Sequence, residues 1–210
     1  MDIKKEGTFI VMEGPDGSGK STQIDLLKDY LDDIGKEYII TREPGGTIIG
    51  EAIRTVILNP EYGEMSDVTE MLLYAASRAQ LMKEVILPAV MEGKVVISDR
   101  FVDSSMVYQG IARGLGAQVV ADVNAPGIGD CRPDRIFFID IPEEEGLLRK
   151  MKQKKLDRLE QAGTDFHHLV SEGYREVLKD RDEVVKIDGL LPIEEIQEKI
   201  RQELSKLMDL

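Results

Sequence analysis

Three glycines, a lysine and a hydroxyl stand at a spacing suited to one kind of chemistry. In EGPDGSGKST, residues 13–22, Gly14 precedes Gly19-Lys20-Ser21 by five positions, a G-x-x-x-x-G-K-[ST] pattern. Gly14, Gly17 and Gly19 permit backbone angles closed to other residues, so consecutive N–H groups can turn inward on an anion. The ammonium of Lys20 suits the outer phosphates of a triphosphate, and the Ser21 hydroxyl is a hard oxygen ligand for Mg²⁺. Asp16, Ser18 and Thr22 complete the segment. It has an apolar stretch before it (Phe9, Ile10, Val11, Met12) and an amphipathic stretch after it. A Gly-rich turn arising by chance would not carry strand, loop, Lys-Ser and helix in this order, so the pattern implies a bound nucleoside triphosphate.

Other groups could act on the same ligand. Asp99-Arg100 closes the apolar run Lys94-Val-Val-Ile-Ser98. A carboxylate there supports Mg²⁺, directly or through water, and the neighbouring arginine can neutralise phosphate. Arg42 opens the turn REPGGT, at the carboxyl end of a short strand, where ligands of open α/β sheets gather. Tyr74 and Arg78 lie four apart and share a helix face, so a ring and a fork of donors stand side by side. On pattern alone that pair reads first as packing and surface charge, and Arg54 as part of a solvated helix face. Ser104, Ser105, Tyr108 and Gln109 offer polar contacts from the segment after Arg100. The only dense basic run is Arg149, Lys150, Lys152, Lys154, Lys155 and Arg158. It reads either as a solvated helix face paired with Asp157 and Glu160, or as a mobile lid that carries a cation to a transferring phosphoryl group.

The elements that must hold these residues follow from periodicity. Strands are expected at 9–12, 38–41, 94–98, 135–141 and 184–188. Helices are expected at 20–34, about 49–58, 67–91, a stretch opening at 101–110, about 118–128, about 166–179 and 192–208. Strand and helix alternate throughout, which implies one α/β domain over residues 1–210. Its core is a doubly wound parallel sheet of about five strands with helices on both faces, plus a short lid at about 149–161.

The composition is 42% hydrophobic and 32% charged, that of a soluble globular chain. No apolar run approaches the ~20 residues of a membrane span, and MDIKKEGTF has no apolar leader, so a cytoplasmic location is expected. The formal net charge of −13 argues against binding a nucleic-acid backbone. An acidic chain that holds polyanions must concentrate its arginines locally. The single cysteine, Cys131, reads as a small buried residue, and His167 and His168 as packing or surface residues.

Taken together, the stretches EGPDGSGKST, TREPGGT, LLYAASRAQ, DRFVDSSMVYQG, RPD, LDRLEQ and FHHLVSEGYREV resemble bacterial thymidylate kinases, a family of P-loop nucleoside monophosphate kinases. The resemblance implies transfer of the γ-phosphoryl group of ATP to dTMP, giving dTDP for dTTP synthesis, with Mg²⁺ as cofactor and a homodimer formed through helices. It implies that Asp16 contacts the acceptor sugar, that Arg42, Arg54 and Arg100 surround its phosphate, and that Tyr74 stacks on thymine. It further implies that Arg78, Ser105 and Gln109 contact the base, that Tyr108 disfavours a 2′-hydroxyl, and that Arg149 lies over adenine. Lys20, Asp99, Arg100, Lys152 and Arg158 are the implied catalytic groups, and Ser21 and Asp99 the metal ligands. Two departures stand out: the stacking ring is usually Phe, and Gln153 stands where enterobacterial relatives carry the lid arginine. A kinase for another small acceptor, and a nucleotide-dependent switch with no small acceptor, are the competing readings. The second leaves Arg42, Arg78 and Arg100 without a task.

Overall fold

A computed structural model of the chain describes residues 5–150, 158–159 and 163–208. Its centre is a five-stranded parallel sheet in the order β2-β3-β1-β4-β5. The strands are β1 (Thr8–Glu13), β2 (Tyr38–Arg42), β3 (Val95–Asp99), β4 (Arg135–Asp140) and β5 (Val184–Asp188). The glycine-rich loop leaves β1, the middle strand, and enters α1 (Lys20–Asp33). Met12 of β1 sits opposite Asp99 of β3, and Arg42 of β2 opposite Asp99 on its other side. This register brings the loop, the strand-ending carboxylate and the β2 arginine to one edge of the sheet.

Side chains alternate across the pleat, and the core is accordingly split in two. Phe9, Val11, Val96, Ile136 and Phe138 pack on one face against Leu81, Ile86, Phe101 and Tyr174. Ile10, Met12, Ile97, Phe137 and Ile139 pack on the other against Ile24, Leu27, Ile196 and Ile200. Cys131 is buried in the first of these clusters.

Around the sheet stand α2 (Ile48–Leu58), α3 (Asp67–Leu81), α4 (Leu87–Met91), α5 (Val102–Ser105), α6 (Ala117–Ile128), α7 (Glu143–Lys150), α8 (Thr164–Val177) and α9 (Ile193–Leu207). Caps match the chemistry of the chain: the Thr47 and Ser66 hydroxyls accept from Gly50 and Thr69 at the starts of α2 and α3. The continuous helix expected over 67–91 is instead α3 and α4 joined by a π-helical turn, Met82–Ile86. Pro88, near the start of α4, has no N–H and would clash with the carbonyl one turn back, so the ladder widens before it. A second π-helical turn, Met106–Ala112, continues α5 and carries Tyr108 and Gln109. The Lys152, Lys154 and Lys155 assignments, and most of the expected lid, lie outside the described residues.

Candidate active site

The loop after β1 is shaped by close approach. Gly14 has φ 144°, and a Cβ there would lie 2.5 Å from the Ile139 carbonyl oxygen of β4. Gly17 has φ 78°, and a Cβ would meet the Gly146 carbonyl of α7 at 2.8 Å. Only glycine satisfies both demands at once. The loop is thus seated on β4 and α7 and delivers Lys20 to the first position of α1.

The Lys20 ammonium is buried and donates to the carbonyl oxygens of Gly14 (2.9 Å) and Pro15 (3.1 Å). Burial pulls its pKa down to about 8, and the Arg100 cation adds to the effect; Asp99, Asp16 and Glu13 oppose it. A phosphate beside the amine would restore its charge.

Arg100 has φ 72°, unusual for a residue with a side chain. That geometry turns its guanidinium back over the loop. There it donates to the Gly14 carbonyl (3.0 Å), Ser104 Oγ (3.2 Å) and Tyr174 Oη (2.5 Å), and pairs with Asp16 at 2.5 Å. Strain of this kind is tolerated where surrounding contacts fix it.

Below these groups lies Glu13, the last residue of β1 and fully buried. Its carboxylate accepts from Phe101 N (2.8 Å), Ser104 Oγ (2.6 Å) and Tyr174 Oη (3.1 Å). Burial, helped by Asp103, raises its pKa from 4.5 to about 7 against the pull of Arg100. The folded chain therefore keeps a proton there at pH values where the unfolded chain has lost it. The associated stability is full below about pH 4.5 and disappears as pH rises through about 7. Glu13→Gln is expected to flatten this part of the profile, so that wild type loses melting temperature relative to the variant between about pH 5 and 8. Parallel thermal melts across that range check it, and identical slopes would discard the assignment. Glu13 was missed in the sequence, although a carboxylate ending FIVME is the one residue out of keeping with that apolar run.

A cavity of about 660 Å³ opens along the carboxyl edge of the sheet. Asp16, Gly17, Ser18, Gly19, Lys20, Ser21 and Thr22 form its floor. On the β2 and β3 side it is walled by Arg42, Arg54, Tyr74, Arg78, Asp99 and Arg100, with Ser105, Tyr108 and Gln109 behind them. On the other side stand Arg149, Gly189, Leu191 and Ile193. Gly14 lies beneath the loop rather than on the wall. Lys20, Arg42, Arg54, Arg78, Arg100 and Arg149 face three acids in the lining, Asp16, Glu43 and Asp99. In a chain of net charge −13 this is the local concentration of positive charge that a polyanion requires.

Partners fix how each cation is presented. Arg42 is forked by Glu51 at 2.9 Å and half-exposed, and Arg54 is tethered to the Pro44 carbonyl at 2.8 Å. Arg78 is buried and ion-paired to Glu43 (2.5 Å), and also donates to Asn124 Oδ1, the Phe101 carbonyl and Ser105 Oγ. These bonds hold its fork rigid, and Tyr74, one turn earlier on α3, is half-buried. Arg149 donates to Glu145 (2.8 Å) and to the carbonyls of Gly17 (3.2 Å) and Gly189 (3.5 Å), bridging the loop to the chain after β5. Asn124 lies in no stretch that the sequence singled out; Tyr174 lies within FHHLVSEGYREV, but nothing in that stretch gave it a role.

One expected catalytic group is placed elsewhere. Arg158 is not on the cavity wall: its Nε donates to the Ile57 carbonyl at 2.8 Å, and its guanidinium lies 2.6 Å from Glu70, an ion pair by distance. The sequence placed it in the basic run and could not show that a buried carboxylate on α3 claims it. His168 is exposed and 3.2 Å from Glu143, away from the cavity, as expected for a surface residue.

Asp99 and Ser21 both line the cavity, and Asp99 Oδ1 is buried with no hydrogen-bond partner among the described residues. An orphaned carboxylate oxygen beside a phosphate cradle fits Mg²⁺, whose remaining ligands are phosphate oxygens and water in such sites. Among the described residues no group of three or more His, Cys, Asp or Glu forms a protein-only metal cage.

A P-loop feeding α1 on a 2-3-1-4-5 parallel sheet, with an arginine-walled chamber across from it, defines a nucleotide kinase of the α/β P-loop class. The family model for thymidylate kinase matches residues 12–200. The chain is 46% identical to a thymidylate kinase of Symbiobacterium thermophilum over 201 residues, 95% of this chain and 94% of the relative. Identity to a thymidylate kinase of Thermoanaerobacter sp. is 47%, covering 97% of this chain and all of the relative. A Kosmotoga olearia thymidylate kinase is 44% identical over 93% of this chain. The chain belongs to the thymidylate kinase family.

Proposed function

We propose that the protein transfers the γ-phosphoryl group of ATP to dTMP by in-line displacement, giving dTDP. One observation carries this reading: Lys20 lines a single cavity whose two sides, read as two chambers, carry Arg149 of α7 and Gly189 after β5 and, on the β2 and β3 side, Arg42, Tyr74, Arg78 and Arg100. The chamber at Arg149 and Gly189 suits the donor nucleotide. The opposite chamber suits a pyrimidine monophosphate, with Arg42, Arg54 and Arg100 at its phosphate, Tyr74 on its ring and Arg78 beneath its edge. Asp16, held by Arg100, suits the acceptor sugar, and Tyr108, over which the Arg100 guanidinium lies at 5.3 Å, walls the side of the sugar's 2′ position.

Alignment and charge neutralisation then supply the catalysis. On this reading the loop N–H groups and Lys20 hold the donor phosphates, and Arg100 releases part of its hold on Gly14 and Asp16 to meet the acceptor phosphate. Ser21 and Asp99 would hold Mg²⁺, which when bound supplies neutralisation of phosphate charge. An acceptor phosphate arriving as a dianion needs no strong general base. With Arg158 committed to Glu70, the cation from the basic run is assigned to Arg149 with Lys152.

Exposed apolar side chains on α3 and α6 (Val68, Leu72 and Val119, each about half exposed) support a homodimer packed through these helices. A cytoplasmic location is part of the proposal; among the described residues no helix is long and apolar enough to cross a membrane.

The experiment is ADP release measured with ATP and a panel of nucleoside monophosphates. dTMP is expected to raise the rate by orders of magnitude over ATP alone and to be the preferred acceptor. ADP release that ignores dTMP would favour a nucleotide switch, and faster turnover of another monophosphate would reassign the acceptor.

A further inference from the structure

Glu70, on α3, does not line the cavity, yet it is fully buried and touches a residue that does. Its Oε1 accepts from Gln109 Nε2 at 2.9 Å. Two guanidinium groups meet the same carboxylate. Arg113 donates at 3.4 Å from Nε and 3.3 Å from NH2, and Arg158 lies at 2.6 Å from Oε2. Arg113 in turn lies over the Phe166 ring at 4.6 Å, and Arg158 is fixed to the carbonyl of Ile57.

A carboxylate facing two arginines only accepts hydrogen bonds. The end of the Gln109 amide that faces it must therefore be the NH2, which removes the two-fold ambiguity of an amide. The carbonyl oxygen is left as the other end. Gln109 Oε1 is buried and has no partner among the described residues. A buried acceptor without a donor is costly, and it becomes favourable when a ligand N–H fills it.

We infer that Glu70 is a positioning residue for base selection: it locks the Gln109 amide so that an acceptor faces the nucleobase. This rests on the reading that the chamber takes a thymine-bearing acceptor. Thymine offers an N3–H between two carbonyls, which the Gln109 carbonyl can accept, whereas cytosine offers a lone pair at N3. Arg113 and Arg158 meet the same carboxylate from behind and so hold the amide polarity. Arg158, placed off the cavity wall, thereby gains a role that does not require contact with the phosphates.

The polarity argument makes a specific variant informative. In Glu70→Gln the arginines still demand an acceptor, so the new amide turns its oxygen to them and its NH2 to Gln109. Gln109 must then flip and present its own NH2 to the base, donor against donor. Exchanging the pair, Glu70→Gln with Gln109→Glu, returns an acceptor to the base edge while keeping the total charge and a bond between the two residues.

Steady-state kinetics on the full chain, with thermal melts as a folding control, test this. Glu70→Gln is expected to raise the KM for dTMP about tenfold, with the KM for ATP within about twofold of wild type. The exchanged pair is expected to recover dTMP KM to within about threefold. A cooperatively melting Glu70→Gln with unchanged dTMP KM overturns the inference, as does an equal loss for both substrates. If the single variant does not fold, the pair decides alone: a tenfold or larger rise in its dTMP KM overturns the inference. Wild-type protein that fails to phosphorylate dTMP would defeat the assigned reaction instead, which keeps the two failures apart.

Discussion

Replacing Lys20 by alanine is expected to lower kcat/KM by about a thousandfold, on the order of 4 kcal/mol of transition-state stabilisation. The ammonium is aimed where charge builds on the phosphates, in a buried site where a fixed cation counts for more than in water. Among the described residues its hydrogen-bond partners are two backbone carbonyls, and Gly14 O keeps a donor from Arg100 when the ammonium is lost. Folding should therefore survive. The lowered pKa points the same way, because burial disfavours the free ammonium and the fold gains little from it. Turnover with ATP and dTMP beside a thermal melt checks both halves. Near-normal turnover would remove Lys20 from the phosphate cradle.

Arg78→Met is expected to be the most damaging change to stability, about 3–5 kcal/mol, or roughly 10 °C in melting temperature. Arg78 and Glu43 are both almost wholly inaccessible to water and pair at 2.5 Å. Removing the arginine strands a buried carboxylate that burial already pushes toward protonation. It also releases Asn124 and Ser105, which lean on the same guanidinium. Adding Glu43→Gln should return a substantial part of the loss, since the stranded charge is then gone. Urea unfolding of the single and double variants measures this. A double variant no more stable than the single would mean that packing, and not the orphaned charge, sets the cost.

The sequence made plain whatever is local. The strand, glycine loop and helix from Thr8 to Asp33 form one continuous pattern, and the alternation of elements leads to a five-stranded parallel sheet. What depends on partners distant in the chain was hidden. Tyr74 and Arg78 share a face by spacing, yet spacing could not show that the arginine is enclosed between Glu43 and Asn124 while the ring stays half-exposed. Arg158 read as a phosphate-facing cation because its neighbours in sequence are basic. Its position is set by Glu70, 88 residues earlier in the chain. The π-helical turns escaped for another reason: they keep helical periodicity in the side chains and change only the backbone ladder.

Strand order has a practical corollary. The wall at Gly189 to Ile193 hangs from β5, at one rim of the sheet, whereas Arg42 hangs from β2, at the opposite rim. The two sets of walls share little beyond the central glycine loop and the lysine that follows it. Grafting a different 189–193 segment should therefore retune which purine triphosphate is accepted while leaving pyrimidine choice alone, so each half can be re-engineered, or can drift in evolution, without the other's consent.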